Sequence, residues 1–353
     1  MRQFAPRLIA WQRRHGRHDL PWQATRDPYR IWLAEVMLQQ TQVETVIPYY
    51  ERFLARFPEV GALAEASLDD VLRLWSGLGY YARGRNLHAA ARAVAGRGGF
   101  PRDATGLETL PGVGRSTAAA IAVFAFGRRA AILDGNVKRV LARRFGVQGA
   151  KAQWELAVKL LPRRGVRAYT QALMDLGAAV CIRSRPACER CPVAKACVAR
   201  REGRIAELPA ARAREPLPLK RATWYVHLNR GQVLLERRPE SGLWGGLWTF
   251  PEKRLVGGAA PRRLPIIEHG FTHLRLRAQP WLCTVRAPSP ADEAAGRMWV
   301  DLADALGAAV PAPVRALLRT LEANATPARG WAASRSARTP RPCGPSAACR
   351  RAT

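Results

Sequence analysis

The stretch "LPGVGRSTAAAI", residues 110–121, places two glycines around a valine, between an apolar helix end and a run of small residues. Gly112 and Gly114 let the backbone turn tightly because glycine has no Cβ. Free N–H groups at the start of the following helix can bind a phosphate. The pattern therefore predicts two helices joined by a tight, phosphate-binding turn. An ordinary turn with a glycine after the helix end would look the same, since short glycine motifs are weak signals.

Around this turn, residues 27–145 predict consecutive short helices with short breaks. Asp27 and Pro28 match an N-cap followed by a proline in the first helical position. The stretch "TQVE" from Thr41 matches a capping box, so Thr41 is predicted to cap the next helix. Ser67 is predicted to cap another. The first 200 residues are therefore predicted to be mainly α-helical.

After these helices, four cysteines lie in "CIRSRPACERCPVAKAC", residues 181–197. The spacing Cys181-x6-Cys188-x2-Cys191-x5-Cys197 supplies four soft ligands on a loop too short to build its own core. Their crowding is unlike the disulfide framework of a small secreted domain, which favours a metal. Four thiolates suit either a tetrahedral zinc ion or a 4Fe–4S cluster. The residues alone leave these two possibilities open.

Two carboxylates are candidates for chemistry in the helical half. Glu35 is the lone charge within "IWLAEVML", residues 31–38, and apolar surroundings raise the pKa of a carboxyl group. Asp134 directly precedes an apolar helical repeat. Both also have a plain structural explanation, because Glu35 can lie on an exposed stripe and Asp134 can be an N-cap. Lys138, one turn after Asp134, can be an amine nucleophile or, more commonly, a phosphate contact.

The chain is strongly basic. Its 57 Lys and Arg exceed its 27 Asp and Glu in 353 residues, for a formal net charge of +30. Such a field attracts polyanions by neutralising phosphates and releasing counterions, whatever the nucleic-acid sequence. A solvated basic face is the alternative. No apolar segment is long enough to span a bilayer, so we expect a soluble intracellular protein.

The period of the apolar residues changes after the cysteine loop. Residues 201–222 are rich in Arg, Ala and Pro without a sustained apolar face, which predicts a linker. Residues 223–322 predict strands of an antiparallel sheet, with a turn at residues 229–231 and a closing helix at residues 314–321. Residues 323–353 are predicted to be a disordered basic tail.

Together these stretches resemble a known family. "EVMLQQTQVETVIPYYERF", "LWSGLGYYARGRNLH" and "ILDGNVKRVLARRF", with the glycine turn and the cysteine spacing, are similar to the MutY-type adenine DNA glycosylases of the helix-hairpin-helix (endonuclease III) superfamily. The resemblance implies an all-α glycosylase domain over residues 1–200, with its hairpin at residues 110–114, followed by an α+β Nudix-like domain over residues 223–322. It also implies one 4Fe–4S cluster, held by Cys181, Cys188, Cys191 and Cys197.

For function, the resemblance implies a monofunctional DNA glycosylase. Such an enzyme would hydrolyse the N-glycosidic bond of adenine mispaired with 8-oxoguanine or guanine. Its partner would be duplex DNA, and we expect a monomer in the cytoplasm, at the nucleoid. Glu35 would protonate the purine, and Asp134 would stabilise the positive charge that develops on the sugar. Asn136 would orient the attacking water.

The resemblance also implies contacts with the DNA. Trp22, Leu38 and Gln171 are similar to adenine-pocket residues, while Gln40 and Tyr80 look like the side chains that fill the gap in the base stack. Core packing is the plain alternative for the apolar members of this set. The remaining expected DNA contacts in the helical half are Gly112, Gly114, Ser116 and Lys138.

Ser116 separates two branches of this superfamily. In the bifunctional branch the matching position resembles a lysine whose amine attacks the sugar carbon, whereas a serine supplies no Schiff-base nucleophile. The family counterpart of Lys138 can reach the sugar, so the resemblance is compatible with a minor lyase activity. The alternatives are a bifunctional pyrimidine-lesion glycosylase with lyase activity and a non-catalytic iron–sulfur protein that binds DNA. Ser116 opposes the first, and the presence of both Glu35 and Asp134 opposes the second.

The second domain carries its own candidate motif. "HGFTHLRL", residues 269–276, resembles the family's Phe-Ser-His loop, which contacts 8-oxoguanine. Here the triplet is Phe271-Thr272-His273, and threonine keeps the hydroxyl group while adding a methyl group. Between residues 251 and 266 there is no acidic helix to hold Mg²⁺, so nucleotide pyrophosphohydrolase activity is not expected.

Overall fold

The computed structural model describes residues 1, 3–210, 215–255, 260–286 and 296–325. Helices make up the first part of the chain and a seven-stranded sheet with two helices makes up the second, so the predicted order of an all-α half and an α+β half is confirmed. No helix in these ranges is long and apolar enough to cross a membrane. Most of the predicted tail, residues 326–353, lies outside the described residues.

The helical half has two apolar cores that share one wall. The first core is centred on Trp32, Phe53 and Trp75, and the second on residues such as Leu8 and Val137. The shared wall is the alanine-rich helix α8, whose small side chains let helices on both sides approach closely. The helices are α1 (Phe4–His15), α2 (Pro28–Met37), α3 (Val43–Arg56), α4 (Val60–Glu65), α5 (Leu68–Trp75), α6 (Ala82–Gly96), α7 (Ala104–Glu108), α8 (Arg115–Phe126), α9 (Gly135–Phe145), α10 (Ala150–Leu160), α11 (Val166–Asp175) and α12 (Val198–Arg201).

Two of the three helix starts predicted from capping residues are confirmed. Asp27 Oδ1 accepts a hydrogen bond from the Tyr29 N–H (2.9 Å), and Ser67 Oγ accepts one from the Asp70 N–H (3.1 Å). The prediction for Thr41 is wrong, because α3 is capped at Gln42 without a side-chain bond. The Thr41 hydroxyl instead accepts from a guanidinium 42 residues away, a partner that local spacing does not reveal.

The sheet half differs from the sequence prediction in one pairing. Strands β1 and β6 lie in register and parallel, so the sheet is mixed rather than antiparallel. The predicted turn is confirmed: Arg230 (φ 42°) and Gly231 (φ 88°) join β1 to β2 as a two-residue hairpin. The elements are β1 (Leu219–Asn229), β2 (Gln232–Arg237), β3 (Trp248–Thr249), β4 (Arg262–Arg263), β5 (Ile267–Gly270), β6 (Arg275–Thr284), β7 (Arg297–Asp301), α13 (Leu302–Ala305) and α14 (Ala312–Ala325).

The segment predicted as a linker, residues 201–222, is only partly free of packing. Leu208 is 1% exposed, and its carbonyl accepts a hydrogen bond from buried Arg143 Nε (2.8 Å). Strand β1 begins at Leu219, before the predicted domain start at residue 223. At the other end, α14 continues to Ala325, past the predicted start of the tail at residue 323. Tertiary contacts thus order residues whose local composition is typical of a linker.

The two halves meet at α5 and α6. Leu72 of α5 is part of the apolar core of the sheet half. Trp248 Nε1 donates to Asp69 Oδ1 (2.7 Å), and Arg85 of α6 donates to the Gly245 carbonyl (2.9 Å). The loop between β2 and β3 therefore packs directly on the helical half.

Candidate active site

A cleft of about 1390 Å³ opens between the two helical cores. Helices α2, α8, α9 and α11 line it, so side chains that are far apart in sequence meet there. The cleft brings together eight of the residues singled out from the sequence. These are Trp22, Glu35, Leu38, Gln40, Ser116, Asp134, Asn136 and Gln171.

Glu35 projects from α2 into this cleft. It is half-buried, and it is flanked in the helix by the fully buried side chains of Ala34 and Val36. Burial and, to a smaller extent, the nearby negative charge of Asp134 raise the pKa of Glu35 to about 8. Glu35 is therefore protonated at neutral pH and can act as an acid there, in agreement with the expectation from its apolar neighbours.

Asp134 both caps a helix and lines the cleft. Its Oδ1 accepts hydrogen bonds from the N–H groups of Asn136 (2.7 Å) and Val137 (2.8 Å) at the start of α9. Burial raises its pKa, while these two bonds and the positive charges of Arg139 and Lys138 favour the anion. The N-cap explanation and the site explanation are thus compatible, because the same carboxyl group does both.

Asn136 is held by a guanidinium that also reaches the cysteine loop. Arg139 Nη2 donates to Asn136 Oδ1 (2.7 Å), and its Nε donates to the Cys181 carbonyl (2.7 Å). The same Nη2 donates to the Gly177 carbonyl (2.6 Å). Gly177 has no room for a side chain, since a Cβ there would lie 2.6 Å from the Asn136 Cβ. The start of α9 is therefore fixed against the segment that leads into the cysteines.

Another wall of the cleft contains an ion pair that the sequence analysis missed. Gln171 Nε2 donates to Asp175 Oδ1 (3.0 Å), and Arg17 Nε donates to the same oxygen (2.7 Å). Because a carboxylate can only accept, it orients the Gln171 amide with its nitrogen towards Asp175. In contrast to this polar pair, Trp22 supplies an aromatic, apolar surface to the cleft. It is 8% exposed and packs edge-on against Tyr50. The spacing of four residues between Gln171 and Asp175 could have indicated the hydrogen bond between them, but it gives no sign of Arg17.

Gln40 and Tyr80 both have left-handed backbone conformations, with φ of 59° and 48°. Gln40 is exposed at the cleft, whereas Tyr80 is not among the residues that line it and is 42% exposed. Such conformations are uncommon in residues other than glycine and are found at functional sites. Both loops contact Arg83, which the sequence analysis missed because an arginine in a helical stretch is usually solvated.

The turn at residues 110–114 has a backbone that requires glycine at position 112. Gly112 has φ of 74°, and a Cβ there would lie 2.7 Å from the Asn86 Cβ. Gly114 is the N-cap residue of α8. Ser116 Oγ, in the first turn of α8, accepts a hydrogen bond from the Leu133 N–H (2.9 Å), directly before Asp134. Lys138 is not among the residues that line the cleft.

The four cysteines lie close enough to influence one another. Burial first, and then the other three cysteines, raise the pKa of Cys191 to about 11. The pKa of Cys188 is also raised, first by burial and to a smaller extent by Cys181 and Cys197. Arg143 Nη1 donates to Cys181 Sγ (3.6 Å), which supplies a positive charge beside the sulfurs. Within the described part of the chain, no three His, Cys, Asp or Glu side chains surround a position for one metal ion.

This donor set fits an iron–sulfur cluster in its chemistry, since four neighbouring thiols supply soft ligands and the Arg143 cation lies beside Cys181 Sγ. The four side chains are partly exposed rather than sealed in a core. The residues that would hold the cluster are therefore Cys181, Cys188, Cys191 and Cys197.

The Phe271-Thr272-His273 triplet lies in the sheet half, in the loop between β5 and β6, and does not line the cleft. Thr272 and His273 are exposed. The Phe271 ring lies 4.7 Å from the His269 ring and 5.6 Å from the Trp244 ring. Trp244, with φ of 57°, was missed as a functional residue, and it belongs to the loop that packs on α6.

Two family profiles match the chain. The HhH-GPD superfamily of base excision DNA repair proteins matches residues 33–163, and the NUDIX domain matches residues 222–320. The first match spans the walls of the cleft from α2 to α9, and the second spans the sheet half.

Similar proteins agree with both matches. The adenine DNA glycosylase of Buchnera aphidicola subsp. Acyrthosiphon pisum is 32% identical over 91% of this chain and 98% of its own. The adenine DNA glycosylase of Rattus norvegicus is 33% identical over 90% of this chain and 78% of its own. A solved thermostable thymine-DNA glycosylase is 32% identical over 57% of this chain and 96% of its own, with a TM-score of 0.54.

Proposed function

Since the chain belongs to the adenine DNA glycosylases, which remove adenine in base excision repair, we propose that its substrate is adenine mispaired with 8-oxoguanine or guanine in duplex DNA. The observation that carries this proposal is the pair of carboxyl groups, Glu35 and Asp134, in one cleft between the two helical cores. Burial raises the pKa of both groups, and the charge of Asp134 favours the protonated form of Glu35.

Adenine in a stacked duplex cannot reach this cleft. The base must therefore be extruded from the helix, which costs about a few kcal/mol and must be offset by contacts with the protein. The net charge of +30 supports binding to the phosphate backbone. The left-handed loops at Gln40 and Tyr80 are proposed to fill the gap that the base leaves.

The chemical roles follow from the protonation states. Glu35, protonated at neutral pH, donates its proton to a ring nitrogen of adenine, which makes the base a better leaving group. As the glycosidic bond breaks, the sugar gains positive charge, and the Asp134 carboxylate stabilises it. Asn136, whose amide is held by Arg139, is proposed to orient the water that attacks the sugar.

Recognition of the base is proposed to involve Gln171, Trp22 and Leu38. Because Asp175 holds the amide nitrogen of Gln171, the amide oxygen is the group left to face the cleft. An acceptor there matches the exocyclic amine of adenine and disfavours a carbonyl oxygen at the same position of the base. Trp22 and Leu38 supply apolar surface for the ring.

A monofunctional reaction fits the side chains near the sugar. The Ser116 hydroxyl holds the backbone before Asp134 by accepting from the Leu133 N–H, so it has a structural use in place of a nucleophilic amine. Lys138 is not among the cleft-lining residues. Strand cleavage by a lyase step, the alternative activity, is therefore expected to be weak.

The base opposite adenine is proposed to be read by the sheet half. The exposed Thr272 and His273 can donate and accept hydrogen bonds, and the aromatic contacts of Phe271 keep their loop in place. This loop is the feature that would distinguish 8-oxoguanine from guanine.

A 4Fe–4S cluster is proposed on Cys181, Cys188, Cys191 and Cys197. When bound, the cluster supplies a covalent cross-link that orders a loop with no core of its own. Arg183, Arg185 and Arg190 of this loop are exposed and can then contact phosphates. The cysteines take no part in breaking the glycosidic bond.

The test is an excision assay with labelled duplexes that carry adenine opposite 8-oxoguanine, adenine opposite guanine, or thymine glycol. Each reaction is analysed with and without alkali, because alkali cleaves the strand at a site that has lost its base. We expect loss of adenine that is revealed mainly by alkali. Cleavage of thymine glycol alone would favour the lyase alternative, and binding without base loss would favour a non-catalytic protein.

A further inference from the structure

Arg83, the second residue of α6, is 9% exposed although it carries a full positive charge. Its guanidinium donates six hydrogen bonds, five of them to backbone carbonyls. Hydrogen bonds from a charged donor contribute more than neutral ones, and a buried charge needs such bonds to replace its lost water. Arg83 Nε is buried without a hydrogen-bond partner, so the bonds come from the two terminal nitrogens, which join the segments that supply their acceptors.

One end of the guanidinium binds the segment between Glu35 and Gln40. Arg83 Nη1 donates to the carbonyls of Val36 (3.2 Å), Met37 (2.6 Å) and Gln39 (2.6 Å). Val36 and Met37 are the last two residues of α2 and Gln39 follows it, and a cation is favourable at this end of a helix. The residue that follows is Gln40, in its left-handed conformation.

The other end binds the loop before Tyr80. Arg83 Nη2 donates to the carbonyls of Leu78 and Gly79 (3.3 Å each) and to Thr41 Oγ1 (3.0 Å). The guanidinium carbon also lies 5.3 Å from the centre of the Tyr80 ring. The Arg83 side chain thus contacts both the loop that contains left-handed Gln40 and the loop that contains left-handed Tyr80.

We propose that Arg83 is a positioning residue that sets the spacing between Gln40 and Tyr80, so that both can enter the duplex when adenine is extruded. The inference rests on the proposed function, because it gives these loops their role in base extrusion. The planar fork of arginine is needed, since a lysine ammonium is a point charge and cannot reach acceptors on both sides at once. Left-handed residues other than glycine relax unless their surroundings hold them.

The experiment compares Arg83→Lys with Arg92→Lys, a matched change at an exposed position of the same helix. Each full-length protein is mixed with a duplex that carries 2-aminopurine opposite 8-oxoguanine, and the fluorescence gain on unstacking is measured. Single-turnover excision is measured on adenine opposite 8-oxoguanine and on adenine opposite an abasic-site analogue, where extrusion is easier. Thermal unfolding of each variant is recorded in parallel.

For Arg83→Lys we expect excision at least about tenfold slower on the paired duplex, a smaller fluorescence gain, and a clearly smaller loss opposite the abasic site. Arg92→Lys should behave like the unmodified protein. Equal losses on both duplexes with an unchanged fluorescence gain would overturn the proposal, as would full activity of Arg83→Lys.

A second variant covers the case in which Arg83→Lys does not fold. Thr41→Val removes one of the six acceptors and leaves the guanidinium in place. It should lower the fluorescence gain and the excision rate in the same direction by a smaller factor, and an unchanged gain would count against the proposal. Failure of the proposed function is a separate result, because then the unmodified protein would release no adenine from any duplex.

Discussion

The cleft of the helical half and the Phe271–His273 loop of the sheet half are built in opposite ways. In the cleft, carboxyl groups are removed from water and their pKa values are raised. In the loop, Thr272 and His273 are exposed, while the ring of Phe271 packs against the rings of Trp244 and His269. This contrast fits the proposed roles, because an acid for proton transfer gains a raised pKa when it is withdrawn from solvent, whereas side chains proposed to read an opposite base must be exposed to reach it.

Replacement of Glu35 by Gln should have the largest effect on excision. Because glutamine cannot donate the proton, excision of adenine opposite 8-oxoguanine should fall about 10²- to 10⁴-fold, measured as a single-turnover rate. DNA affinity, measured by gel shift, should remain near that of the unmodified protein. Glu44→Gln is the control, since Glu44 lies at the edge of the same cleft in α3. Retained excision by Glu35→Gln would remove this residue from its role.

Replacement of Asp134 by Asn should have the next largest effect. Asparagine still accepts the two N–H bonds that begin α9, so the fold should persist. Without the negative charge, excision should fall about 10²- to 10³-fold. Asp27→Asn, the same change at the N-cap of α2, should leave excision unchanged, which separates charge from capping. A small loss in Asp134→Asn would assign this carboxyl group to structure alone.

Excision should also decrease as the pH rises through about 8. Burial raises the pKa of Glu35 to about 8, so the protonated, active form predominates below that pH and is lost above it, up to about tenfold per pH unit. This decrease is measured as single-turnover excision rates between pH 6 and pH 9.5, with enough excess enzyme to bind all of the substrate. Trp244→Ala, which alters the loop of the sheet half, should show the same decrease of the excision rate with pH. A rate that is constant across this range would mean that Glu35 is not the acid.

Replacement of Trp244 by Ala should have the smallest effect. Loss of its ring contact with Phe271 removes about 0.5–1.5 kcal/mol of support for the loop. The preference for 8-oxoguanine over guanine opposite adenine should decrease about two- to tenfold, while the decrease of the excision rate with pH is unchanged. Trp281→Ala, on β6 of the same sheet, is the matched control. Equal changes in excision opposite 8-oxoguanine and opposite guanine would mean that this loop does not recognise the base opposite adenine.

Several features could be predicted because they depend on neighbouring residues. The caps at Asp27 and Ser67 and the hairpin at Asn229 follow from a few adjacent residues, and the apolar neighbours of Glu35 in the sequence indicated the burial that raises its pKa. The Thr41 cap could not be predicted correctly, because a stronger, charge-assisted bond from Arg83 takes its hydroxyl group.

Other features depend on pairing between distant segments. The parallel pairing of β1 with β6 was not predictable, since alternation of side chains along a strand is the same in either direction. The ion pair of Arg17 with Asp175 was missed because the two residues are 158 positions apart in the sequence. Neither residue type nor local spacing reports such a partner.

The order of the two halves, the tight glycine turn, the set of four cysteines and the two carboxylates can all be read from the amino-acid sequence. These features are written in residue types and short spacings, which act through the backbone of a few neighbouring residues. Three other features depend on the packed fold: Glu35 and Asp134 share one cleft, Arg83 joins the loops of Gln40 and Tyr80, and Trp244 packs beside Phe271. Burial and long-range hydrogen bonds exist only after the helices and strands have packed together, because packing brings distant residues into contact and removes their water.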